Sequence, residues 1–128
     1  MTTIRLTENQ NEIYNEAGLQ LVGTTAPDGN GLSPRELLEA SLGLCISISL
    51  QKVLERDSIS YDKSALSIKV TASKAPDVTN RFTHFHVTVA FPPSFDSAFK
   101  NKLLTVIERA CTISNTLKNT PVIETVEA

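Results

Sequence analysis

Residues 31–50 read GLSPRELLEASLGLCISISL, and the reading of this stretch decides the architecture. Ser33-Pro34-Arg35-Glu36 has the form of a capping box: the Ser33 side chain accepts from the amide three residues on, and Glu36 reaches back. Pro34 falls at the first helical position, where its missing N–H costs nothing. The pattern predicts a helix from Pro34 to about Arg56, roughly 35 Å long at about 1.5 Å per residue. Between Leu37 and Leu50 apolar residues occupy every side, and Glu39 is the only charge. A helix apolar all round is expected to be buried all round. One small domain has little material for that, so the pattern argues for cover from a second copy of the chain. On a helical wheel Ala40, Gly43 and Ser47 make a stripe of small side chains where another backbone can come close. Cys45 points the other way, near Leu38, Leu42 and Ser49.

Outward from this helix the chain alternates. SALSIKVTA, residues 64–72, places Leu66, Ile68 and Val70 on one face. FTHFHVTVAF, residues 82–91, directs Phe85, Val87, Val89 and Phe91 inward and His84, His86 and Thr88 outward. The two runs, joined by SKAPDVTNR, predict an antiparallel hairpin, and Pro92-Pro93 ends its second strand. Ser94 is expected to cap a second helix carrying Phe95, Phe99, Leu103, Val106, Ile107 and Ala110 on one face, with Cys111 at its end. Thr112 to Lys118 reads as a short helix and Val122 to Val126 as a closing strand. Before the long helix, residues 3–7 and 18–23 read as short strands around a polar stretch, NQNEIYNEAG, and TTAPDGNGL reads as a loop.

Composition narrows the class. The 128 residues are expected to form a single α+β domain. They are 41% hydrophobic and 20% charged, with a net charge of −2, and there is no basic stripe to favour nucleic acid or an anionic membrane. The polar N-terminus reads as no signal peptide. The longest nearly uncharged run contains Glu39 and several hydroxyls, so no bilayer span is expected. Trp is absent and seven residues are aromatic, which disfavours base or sugar stacking. Two cysteines, 66 residues apart, match neither a secreted disulfide framework nor a zinc signature. A reducing, cytoplasmic compartment is expected.

Two readings of Cys45 and Cys111 are open from the residues alone: two unrelated core thiols, or a redox pair. Each sulfur ends an apolar stripe, so both should point into one core. Burial raises a thiol's pKa, and reactivity then needs a cation or hydrogen-bond donors. Ser41 and Ser49 lie one turn from Cys45. Arg5, Arg35, Arg81 and Arg109 are available cations, and periodicity ties none of them to a cysteine. Glu36, nine residues before Cys45, falls on the opposite face of a regular helix and reads as a cap. His84 and His86 have the spacing of a metal pair, but two ligands alone are a weak signal, so no metal or cofactor is expected. Ser114-Asn115-Thr116 reads as a cap or turn.

The combination of GLSPRELLEASLGLC, the RFTHFHVTVAF hairpin strand and ERACTISNTL resembles the OsmC/Ohr family of osmotically inducible and organic hydroperoxide resistance proteins, over about residues 31–126. The resemblance implies an α+β fold and an intertwined homodimer, with two long central helices between sheets from both chains. It implies a thiol-dependent peroxidase acting on organic hydroperoxides, with Cys45 the peroxidatic and Cys111 the resolving cysteine. It implies Glu36 as the candidate helix-start glutamate, and a dithiol or lipoylated protein as reductant. Two departures stand out. Family peroxidases pair such a glutamate with an arginine of the N-terminal strand region; here Glu36 stands one residue later than in the Ohr branch, Arg35 holds that place, and Arg5 is not matched. The family's Cys-Pro-Val-Ser reads Cys111-Thr112-Ile113-Ser114. The alternative on the same fold is a protein that binds a small lipophile or senses redox state.

Overall fold

The computed structural model describes residues 1–128, which gather into two compact units, residues 1–40 and 41–128. Strands β1 (Thr3–Leu6), β2 (Asn11–Asn15) and β3 (Gly18–Gly23) form an antiparallel sheet in the order β1-β2-β3. Strand β2 lies within the stretch expected to be polar and to separate two short strands. Its flanking residues are polar, yet Ile13 is buried and anchors the sheet. Tyr14 lies beneath the Arg5 guanidinium, 4.8 Å from ring centroid to Cζ. The β2–β3 turn is set by Asn15, whose Oδ1 accepts from the Ala17 N–H at 2.9 Å, and by Gly18 at φ 122°, which favours glycine.

After β3 the chain doubles back beside it. Leu32 N–H donates to Val22 O at 3.1 Å and Thr24 N–H to Leu32 O at 2.9 Å. Here Gly31 is required, because a Cβ would stand 1.9 Å from Val22 O. This backbone clamp delivers Ser33 to the start of helix α1 (Pro34–Arg56). The capping box forms: Ser33 N–H and Oγ–H donate to Glu36 Oε1 at 3.0 and 2.8 Å, and Glu36 N–H returns to Ser33 Oγ at 3.4 Å. Of the 23 residues in α1, Leu42, Ile46, Leu50, Val53 and Leu54 are buried. By length and composition alone α1 would suffice to cross a membrane, a property shared by core helices of soluble proteins.

In residues 41–128, strands β4 (Ser67–Ser73) and β5 (His84–Ala90) pair antiparallel, with Val70 opposite Val87 and Ile68 opposite Val89. Phe85, Val87 and Val89 pack on the core while His84, His86 and Thr88 are exposed, as the alternation predicts. Gly43 of α1 faces β4: a Cβ there would stand 3.3 Å from Val70 Cγ2. Helix α2 (Ser97–Ala110) is capped by Asp96, whose carboxylate accepts from Phe99 N–H at 2.8 Å. The cap is therefore not Ser94, because Asp96 lies three residues before the amide it serves. Phe95, Leu103 and Ile107 are buried, whereas Ala110 at the end of that face is exposed. Helix α3 (Thr112–Leu117) follows at once. Leu54 and Leu103 have no exposed surface, and burying each is worth about 1.5–3 kcal/mol.

Two expectations fail within one chain. Leu44 and Ile48 are 63% and 41% exposed, so α1 is not covered on every side. Residues 122–126 form no strand, and Val122, Ile123 and Val126 are exposed. A strand needs a neighbour to satisfy its backbone, and the tail makes no ladder with β4, β5 or any other strand.

Candidate active site

Cys45 sits in the middle of α1 between buried Leu42 and Ile46. Its own exposure is partial. Cys111 sits where α2 ends and α3 begins. Its N–H closes α2 on Ile107 O at 3.1 Å, and its extended backbone, φ −75° and ψ 108°, turns the chain into α3. The Cys111 sulfur then caps α3, accepting from Ser114 N–H at 3.4 Å, and has no exposed surface. Both residues are free thiols.

The fold brings the two sulfurs together across 66 residues. Cys45 packs against the buried cluster that contains Cys111, and each thiol shifts the titration of the other. The pair is not symmetric. Cys45 is held below the ordinary thiol range, first by the Ile113 N–H and then by the Cys111 S–H; the Thr112 N–H and Ser49 hydroxyl add to this, and burial opposes it. Cys111 is pushed up, first by burial and then by its role as donor to Cys45, although the Ser114 N–H pulls the other way. Ser49 is a minor contributor, because its single hydroxyl proton is directed to Cys45 O at 2.9 Å. A lowered pKa raises the thiolate fraction at neutral pH, and the thiolate is the nucleophile. The two thiols are thus driven apart, Cys45 toward thiolate and Cys111 toward the protonated form.

Of the other candidates, Glu36 is taken up by the cap. The Ser33 N–H, then the Ser33 hydroxyl, hold its carboxyl below the usual range. On a regular helix nine residues are two and a half turns, which puts it on the face opposite Cys45. Arg35 pairs with Glu39 at 3.9 Å. No group of three or more His, Cys, Asp or Glu side chains is gathered as a metal site, and His84 instead shares a 2.7 Å hydrogen bond with Thr83 Oγ1. Ser41 is not among the groups that lower Cys45, whereas the main-chain amides of Ile113 and Thr112 are, and side-chain reasoning missed them. The available signal was a cysteine placed just before a short helix, where the first amides lack helical acceptors.

Beside the cysteines lies an apolar cavity of about 580 Å³. Leu42 and Ile46 of α1, Phe85 and Val87 of β5, Ile107 of α2 and Ser114 of α3 line it, with Glu108 and Lys118 as its charged groups. Neither sulfur is itself part of the lining; the cavity meets α1 on either side of Cys45.

Comparison with known proteins agrees with the fold. Residues 27–126 match the family model for OsmC-like protein. No curated protein matches significantly. Among solved structures, an OsmC-like protein from Mycoplasma pneumoniae superposes with a TM-score of 0.76 at 17% identity, covering 92% of this chain and 86% of that one. The organic hydroperoxide resistance protein OhrB of Bacillus subtilis gives 0.64 at 19% identity, over 92% and 89%. An OsmC-like protein of unknown function from Vibrio cholerae gives 0.61 at 12%, over 91% of each chain. With the family model spanning most of its length and the α+β fold shared with these structures, the chain belongs to the OsmC-like proteins.

Proposed function

We propose that this protein is a cysteine-based, thiol-dependent peroxidase that reduces organic hydroperoxides, with Cys45 peroxidatic and Cys111 resolving. The observation that carries the proposal is the asymmetric thiol pair: a sulfur held toward thiolate, packed against the cluster that buries a second thiol. The Cys45 thiolate attacks the outer oxygen of ROOH. The O–O bond breaks, ROH leaves with a proton, and Cys45 becomes a sulfenic acid. The Cys111 sulfur displaces that hydroxyl, water departs, and a Cys45–Cys111 disulfide forms. A dithiol, free or as the lipoyl group of a protein, reduces the disulfide and restores both thiols. The net change is ROOH plus dithiol to ROH, water and disulfide. The apolar cavity beside the pair favours peroxides with a hydrocarbon body. Glu36 serves by fixing the helix start and not by touching the sulfur.

The same reading includes a homodimer in a reducing, cytoplasmic setting. Leu44 and Ile48 on α1, Ile4 and Leu6 on β1, and the apolar tail are exposed in one chain, which is the surface a second copy would cover. The test is consumption of cumene hydroperoxide with a dithiol. Wild type should turn over and Cys45→Ser should fall to the uncatalysed rate; equal consumption by both proteins removes the proposal. A second reading, binding of a small lipophile, is favoured by one feature: the cavity is apolar and neither sulfur lines it. Co-purification of a lipophile without any peroxide-induced disulfide would select it.

A further inference from the structure

The β4–β5 hairpin has a second chemically competent pair, on its side away from the cavity. Phe85, Val87 and Val89 of β5 line the cavity. His84 and His86 alternate with them and are exposed. Residues two apart on a strand share a face, with Cα atoms about 6.7 Å apart. The register fixes what surrounds the two rings. His84 stands opposite Ser73 and His86 opposite Thr71, so only small hydroxyl side chains face them across the ladder. Lys69, opposite Thr88, is the one charged side chain on this face of the two strands.

One of the rings is held in place. His84 Nδ1 and Thr83 Oγ1 are 2.7 Å apart. That hydroxyl is itself positioned by the β4–β5 loop: it accepts from Ala75 N–H at 2.7 Å, and it donates to Ser73 O at 3.5 Å. With its own proton directed to Ser73 O, the hydroxyl can only accept from His84. Nδ1 then carries the ring proton and Nε2 an open lone pair. A histidine that donates its other N–H to an oxygen is oriented as metal-ligating histidines are. The His86 ring is exposed and can turn to meet the same ion.

We propose that His84 and His86 form a two-histidine chelate for a late first-row divalent cation, Cu(II) or Ni(II), with water completing the coordination. The spacing alone is a weak signal; the shared exposed face and the anchored ring are what the fold adds. Imidazole nitrogen suits these ions, and affinity rises through the series to Cu(II). Mg(II) and Ca(II) take oxygen ligands, and this face has no carboxylate to offer them. Two rings on one strand make the second bond intramolecular, which strengthens the pair over either ring alone. The site lies on the face of β5 opposite the cavity, so it stands independently of the peroxidase reading.

The experiment is calorimetric titration of the untagged protein with Ni(II) at neutral pH. Wild type should bind one ion, and His84→Ala and His86→Ala should each weaken binding by about a hundredfold. Thr83→Val should weaken it by about tenfold, the scale of a lost partner behind a metal-bound histidine, and Thr83→Ser, which keeps the hydroxyl, should restore it. Cys45→Ser should bind Ni(II) as tightly as wild type, and excess Mg(II) should not compete. Binding that survives either histidine substitution, or that is lost in Cys45→Ser, overturns the proposal. A second measurement needs no variant: paramagnetic Ni(II) should broaden the amide signals of ¹⁵N-labelled wild type around His84 and His86 and across the ladder at Thr71 and Ser73. Broadening centred on Cys45 or on the N-terminal amine overturns the proposal, as does no broadening at all. Peroxide-induced disulfide formation involves neither histidine, so its failure would count against the peroxidase reading alone.

Discussion

The middle of α1 around Cys45 and the α2–α3 junction around Cys111 bring the same side chain into one packed cluster, and the fold drives the two in opposite directions. Cys45, partly exposed, is pulled below the ordinary thiol range; Cys111, fully buried, is pushed above it. Burial alone would raise both. The difference is in what lowers each one: polar groups around Cys45, the Ile113 N–H first, outweigh its burial, while at Cys111 burial outweighs the Ser114 N–H.

The comparison can be broken most severely by removing the second sulfur. Cys111→Ser should abolish repeated turnover with a dithiol that reduces only the disulfide, while a single equivalent of hydroperoxide still oxidises Cys45. Continued turnover at the wild-type rate would show that Cys111 resolves nothing. A smaller effect is the order of ionisation. Alkylation of wild type should modify Cys45 at a lower pH than Cys111, and the reverse order would contradict the asymmetry.

The same asymmetry has a stability consequence with a definite sign. Cys45 has a folded pKa below its unfolded value of about 8.5, so its contribution is full above that value and is lost as pH falls through the folded one. Cys111 has a raised folded pKa, so its contribution is full below the unfolded value and is lost as pH climbs through the folded one. Denaturant midpoints should therefore rise toward about pH 8.5 and fall beyond it, and Cys111→Ser should remove the alkaline fall. The smallest effect concerns the far end of α1. Ser33→Ala should cost about 1 kcal/mol of stability through the lost cap, yet leave the Cys45 alkylation midpoint where it was. A shift in that midpoint would couple the helix start to the thiol.

How much of this was legible in the sequence follows from how local each cause is. The cap at Ser33 and Glu36 and the ends of α1 were readable because both partners lie within four residues. The β4–β5 hairpin was readable from its two-residue period. Strand β2 was not, because only Ile13 carries the burial and its neighbours are polar. The tail failed for the opposite reason: Val122 and Val126 have the composition of a strand but no neighbour in their own chain to pair with. The meeting of Cys45 with Cys111 was legible only as a possibility, since two apolar stripes say that both sulfurs face inward and not that they touch. The Thr112 and Ile113 amides were invisible, because a backbone N–H is the same in nearly every residue and only the turn at Cys111 aims it.

The most direct test of the central claim is intact mass after one equivalent of an organic hydroperoxide. Wild type should lose two hydrogens as Cys45 and Cys111 join, and Cys111→Ser should instead gain one oxygen at Cys45. Wild type that keeps both thiols, or that is oxidised at residues other than this pair, would contradict it.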